Sequence, residues 1–166
     1  MLSARLSMMM FLQFFIWGSW YVTAAIYFGS IGFTASDIGN TYSVGPLAAI
    51  VSPLLLGMLA DRFFPAQIVL GILHFGAGAA MLGAAAASQS ADLSPGLVNG
   101  LLLLHMLFFM PTLGLINTIS VAHLDRTERQ FPLIRVFGTI GWIVAGVFVS
   151  RHLAADATVL PLQIAA

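Results

Sequence analysis

The sequence has no cysteine and no lysine, and only 7% of its 166 residues are charged. Without cysteine there are no disulfides, no thiolate metal sites and no cysteine nucleophile. Without lysine there is no Walker A phosphate loop and no Schiff-base chemistry. All six Lys and Arg positions are arginines, the formal net charge is zero, and no basic tract is present, which argues against nucleic acid as a partner. Soluble domains carry roughly 25% charged residues. The scarcity of charge, the 60% hydrophobic content and a mean hydropathy of +0.99 describe a polytopic membrane protein with the lipid bilayer as its solvent.

Apolar runs fill most of the chain. A bilayer core requires about 20 apolar residues per helix, and five stretches meet that length: 8–28, 40–60, 66–87, 96–122 and 132–150. A sixth apolar stretch begins at Val159. The connections carry turn and breaker residues at 29–32, 61–65, 88–95 and 123–131. Arg5 ahead of the first run resembles a secretory signal, but that run is long, contains Gln13, Trp17 and Trp20, and is followed by four more. With the N-terminus in the cytoplasm, Arg5, Arg62, Arg126 and Arg129 lie inside and only Arg151 outside, as the positive-inside rule requires. In the third span, Gly76, Ala80 and Ala84 recur every four residues, as do Ala79, Gly83 and Ala87. Such rows predict close helix contacts. Pro46, Pro53 and Pro111 fall inside spans and predict kinks whose freed carbonyls need other partners.

The polar residues within spans are the candidates for function. Arg135 leads, because a charge deep in a bilayer costs about 2.5–3.5 kcal/mol even on permissive insertion scales. It either snorkels to the headgroups or faces a polar cavity. Thr139, Trp142 and Gly146 follow at i+4, i+7 and i+11, so a guanidinium, a hydroxyl, a ring and a gap share one helical face. That set reads as a binding surface. Gln13, Trp17, Trp20 and Ala24 repeat the spacing in the first span, where the indoles serve either as ligand contacts or as core and interface residues. Asn117 is helix-to-helix glue or a ligand contact. His74 and His105 have no acidic residue in register on their own helices and read as structural. Every carboxylate lies in or beside a loop, so a buried carboxylate that carries protons is not expected in this chain.

Three blocks, FLQFFIWGSWYVT from Phe11, MPTLGLINTIS from Met110 and FPLIRVFGTIGW from Phe131, resemble the nucleoside:proton symporter family of the major facilitator superfamily. IGNTYSVGPLAAIVSPLLLGMLADRFF between them fits that family's second helix and following loop. The resemblance covers about residues 6–150. It implies an all-α fold of twelve helices in two six-helix bundles, with substrate bound between the halves near the midplane. The chain is expected to supply the N-terminal bundle, five membrane helices and the start of a sixth, with the C-terminal bundle absent. The R-x-x-x-T-x-x-W run matches the family's substrate-lining face at Arg135 and Thr139, with Trp142 at an aromatic position that is often Phe. The resemblance implies that Arg135 donates to the nucleoside, that Thr139 adds a polar contact and that Trp142 stacks or packs beside it, with Gln13, Trp17 and Asn117 as further candidates. A nucleoside is neutral, so the guanidinium would act as a fork of donors. The superfamily's loop motif survives in part at Gly57, Asp61 and Arg62, which implies a gating loop; its later glycine and trailing basic residues are missing.

The expected function is therefore nucleoside uptake by proton symport across a bacterial inner membrane, with the proton as coupling ion and no cofactor. The partners are a nucleoside, the lipid bilayer and the missing bundle. A non-transporting membrane scaffold, or remnant half-transporter, is the alternative. No nucleophile–base pair or metal-binding H-E-x-x-H set is present, so neither an enzyme nor a metal site is expected.

Overall fold

The structure, a computed structural model, describes residues 2–59 and 65–166, with side chains for 3–52 and 65–166. Asp61 and Arg62 of the loop motif lie outside the described residues; Gly57 falls on the last turns of a helix and its surroundings are likewise outside. All the regular secondary structure among the described residues is helical: α1 (Leu2–Tyr21), α2 (Ala24–Ser30), α3 (Ala35–Leu59), α4 (Ala66–Ser88), α5 (Pro95–Ala122), α6 (Thr127–Val147) and α7 (Leu160–Ala165), with a π-helical turn, Phe148–His152, closing α6. Four segments among the described residues are long and apolar enough to cross a membrane: Ser3–Ser30, Ala66–Ser88, Pro95–Ala122 and Thr127–His152. The helix over the second expected span, α3, starts five residues earlier than hydropathy suggested, at Ala35.

Local chemistry sets the helix ends. Before α3, Thr34 and Asp37 cap each other: the Asp37 carboxylate accepts from the Thr34 N–H at 2.9 Å, and the Thr34 hydroxyl accepts from the Asp37 N–H at 3.2 Å. The Asp37 side chain is half-buried at the start of α3, ahead of the expected span 40–60, and hydrogen bonds from Thr34 hold its carboxyl below the usual carboxylate range. Ser94 caps α5, with Pro95 at its first turn. Gly32, at φ +96°, turns the chain after α2 where a side chain would be strained.

The first span is interrupted at residues 22–23, between α1 and α2. Backbone polar groups freed inside a bilayer need protein partners, and Tyr42 of α3 provides one. Its hydroxyl donates to the Tyr21 carbonyl at 3.1 Å and accepts from the Ala25 N–H at 3.2 Å.

Packing divides the bundle into two closely paired sets. α5 lies between α3 and α4, while α1 pairs with α6. On α4 the row Gly76, Ala80, Ala84 faces inward, with Gly76 against the Phe108 ring, whereas Ala79 is exposed. The main core joins Trp20, Phe28, Met81, Leu102, Met106 and Phe109. Large apolar side chains also point outward, among them Phe75 at 84% exposure and Ile50 at 73%. A water-facing surface rarely carries so many; in a bilayer they meet lipid.

Candidate functional site

Glycines bring α1 and α6 into backbone contact. A Cβ on Gly18 would lie 3.0 Å from the Trp142 carbonyl oxygen, and one on Gly141 would overlap the Phe11 carbonyl. Each helix thus presents a groove to the other's backbone, the close approach by which helices associate in lipid. The contact fixes how Arg135, Thr139 and Trp142 stand on α6.

Arg135 is half-buried, and its Cζ lies 4.3 Å from the centroid of the Phe14 ring, a cation–π contact. Gly138 makes room for it: a Cβ there would fall 2.8 Å from the guanidinium Nη1 and 2.7 Å from the Phe14 ring. Thr139 is exposed one turn on. Trp142 meets Trp17 edge-on, with ring centroids 5.2 Å apart, and lies 6.0 Å from Tyr21. Trp17 also packs edge-on against Phe109 of α5, and Tyr21 against Tyr42 of α3. The face combines a steadied fork of N–H donors, a free hydroxyl and a wall of rings. Chemically, it suits a flat, neutral, polar ligand.

The candidates on α1 separate. Trp17 stays beside Trp142, and its indole N–H is buried without a partner. Trp20 is fully buried, edge-on to His105. Gln13, only 2% exposed, turns the other way, into the bundle. Its amide nitrogen donates to Thr112 Oγ1 at 2.6 Å, and its Oε1 lies 2.9 Å from His74 Nε2. With both ends of its amide engaged there, Gln13 belongs to an interior network across α1, α4 and α5 and not to the Arg135 face. Asn117 is half-buried on α5. Thr112 and Tyr42 were not singled out from the sequence. Thr112 lies within the MPTLGLINTIS block, where a hydroxyl beside a mid-span proline was the available signal.

Comparison with known proteins follows the same lines. A family model described as Nucleoside H+ symporter matches residues 1–166. The chain is 45% identical over 144 residues to the putative nucleoside transporter YegT of Escherichia coli K12, covering 87% of this chain and 33% of that protein. It is 38% identical over 150 residues to the nucleoside permease NupG of the same organism, covering 87% of this chain and 34% of the permease. The crystal structure of NupG superposes with a TM-score of 0.88 at 35% identity, covering 99% of this chain and 40% of that one. The chain thus spans about a third of the length of the curated relatives it matches, and its helices form a bundle of the major-facilitator type. By its three sequence blocks, its helical bundle and a match along its whole length, this chain belongs to the nucleoside H+ symporter family.

Proposed function

We propose that this chain forms the N-terminal bundle of a proton-coupled nucleoside transporter and that Arg135, Thr139 and Trp142 line its substrate path. One observation carries the reading. Arg135 is a membrane-embedded cation steadied by the Phe14 ring, with Gly138 leaving the space it needs. Intramembrane charges that face a packed bundle mark substrate or ion pathways. In the proposed complex the guanidinium donates to nucleobase or ribose oxygens, Thr139 adds a hydroxyl contact, and Trp142 with Trp17 supplies the apolar wall. Alternating access follows from rocking this bundle against a second one around the site. The distribution of arginines supports a cytoplasmic N-terminus, and the bacterial relatives support the inner membrane.

The test uses cells that express the full reading frame encoding this chain. Uptake of radiolabelled uridine or adenosine should exceed that of control cells and collapse when a protonophore is added. Uptake equal to the control, or unaffected by the protonophore, would overturn the proposal.

A further inference from the structure

Behind the Arg135 face, four side-chain contacts run in a line between two backbone carbonyls. His74 Nδ1 is 2.9 Å from the Leu70 carbonyl, and His74 Nε2 is 2.9 Å from Gln13 Oε1. Gln13 Nε2 is 2.6 Å from Thr112 Oγ1, which is 2.5 Å from the Phe109 carbonyl. Both ends of the line can only accept, so its four contacts need four hydrogens. The Thr112 hydroxyl supplies one, the Gln13 amide supplies one into the line, and a neutral imidazole supplies one. That total falls one short. Rotating the Gln13 amide or changing the histidine tautomer moves the deficit along the line without removing it. An imidazolium supplies the fourth hydrogen.

We propose that His74 is a proton-binding site, held as an imidazolium between the Leu70 carbonyl and the Gln13 side chain. Its bare ring nitrogen takes one proton from hydronium, giving imidazolium and water, and the reverse step returns it. His105, the other histidine within the bundle, makes the contrast. Its Nδ1 meets the Ala77 carbonyl at 2.9 Å and its Nε2 is buried without a partner, so a single N–H satisfies it.

The groups facing His74 are few. From α1 come Gln13 and, along a groove of about 400 Å³ that both line, Arg5. From α5 come Thr112, the Phe109 ring edge-on, and His105 on a second, shared cavity of about 480 Å³. No Asp or Glu lines either space among the described residues; Ala166, the last residue of the given sequence, lines the second. The stabilisation of the cation therefore comes from hydrogen bonds rather than from a side-chain ion pair.

The site has a mechanical consequence. Without the proton one link must open, and two of the four links hold α1 through Gln13. Phe14, the next residue, carries the Arg135 guanidinium on its ring. Where the open link is one of those two, proton loss at His74 loosens the helix that steadies the substrate face. This last step rests on the proposed function; the hydrogen count does not.

Nitrogen NMR of the full-length protein in lipid, labelled with 15N-histidine, reads the site directly. His74→Gln identifies its signals by their loss. Spectra are recorded from about pH 6 to about 8.5, and a state with two hydrogen-bearing ring nitrogens is expected within that range. A bare nitrogen at every pH in that range would overturn the proposal. Thr112→Val, on another helix, provides the second readout. Without its hydroxyl the line shortens to two contacts, which a neutral imidazole and a rotated Gln13 amide can fill. The bare nitrogen should then dominate at about pH 6, and Thr112→Ser should restore the two-hydrogen state; an unchanged spectrum in Thr112→Val would overturn the hydrogen count. Uptake by His74→Gln should lose its dependence on external acidity. If that dependence persists, the link to transport is wrong. If the unaltered protein takes up no nucleoside, the transport function fails while the NMR still decides His74.

Discussion

The two sides of α1 treat polar groups in opposite ways. Toward α4 and α5, Gln13 is sealed in and both ends of its amide are engaged. Toward α6, Arg135 rests on the Phe14 ring beside an exposed Thr139. Both sides satisfy the rule that polarity in a bilayer must be answered by protein. The inner side answers with a line of polar side-chain contacts. The outer side answers with a ring face and leaves the guanidinium's N–H fork available. The first arrangement leaves the amide no spare partner, and the second leaves the guanidinium free to take one.

Four measurements would break or sharpen that contrast. The largest effect is expected from Gly141→Val, which drives a branched side chain into the backbone at Phe11. Overpacking of this kind costs up to about 3 kcal/mol, seen as a lower thermal unfolding midpoint in detergent; an unchanged midpoint would mean the two helices are not in backbone contact. Next is Arg135→Ala, which should weaken nucleoside uptake about 10- to 100-fold, the worth of a charged hydrogen bond, at normal membrane abundance. Arg135→Lys should recover little, because a point charge cannot replace the fork. Gly138→Ala probes the same face more gently. Its methyl group displaces the guanidinium from Phe14, and the half-saturation concentration should rise about two- to tenfold with little change in the unfolding midpoint.

The smallest effect lies outside the membrane, at the cap of α3. Hydrogen bonds from Thr34 lower the folded-state pKa of Asp37. A depressed carboxyl adds stability that is complete above its unfolded value and is lost as pH falls through the folded one. The difference in unfolding midpoint between the unaltered protein and Asp37→Asn should therefore be steady at neutral pH and shrink on acidification. A difference that grew in acid would contradict the cap.

Much of the fold was legible in the sequence because lipid imposes one demand on every span. Residues 66–87 and 96–122 were placed from apolar length alone, since a helix is the simplest way to close all backbone hydrogen bonds in hydrocarbon. The break at residues 22–23 was hidden. Hydropathy registers apolar side chains and not the carbonyl of Tyr21, which Tyr42 answers from another helix. Both small-residue rows predicted contacts: Gly76 meets Phe108, Gly83 meets Leu101 and Ala87 packs on the core, while Ala79 alone faces outward.

The Arg135, Thr139 and Trp142 face came from the same arithmetic, because 3.6 residues per turn stacks i, i+4 and i+7 on one side of one helix. Gln13 and Trp17 satisfied that arithmetic equally and yet parted company. Four residues rotate a helix by about 40° and advance it by about 6 Å, enough to hand two side chains to different neighbours when three helices crowd around. His74 escaped for a related reason. Its partner is 61 residues away in the chain and is an amide rather than a carboxylate, so no search for an acid in register could find it. The sequence by itself determined that the chain is a membrane-spanning helical bundle and that one helix carries a cationic face, since both follow from composition and helical period. Only the tertiary structure decided that Gln13 looks inward, that Phe14 holds Arg135, and that His74 lies in a line of contacts one hydrogen short, because each depends on which helices meet and at what height.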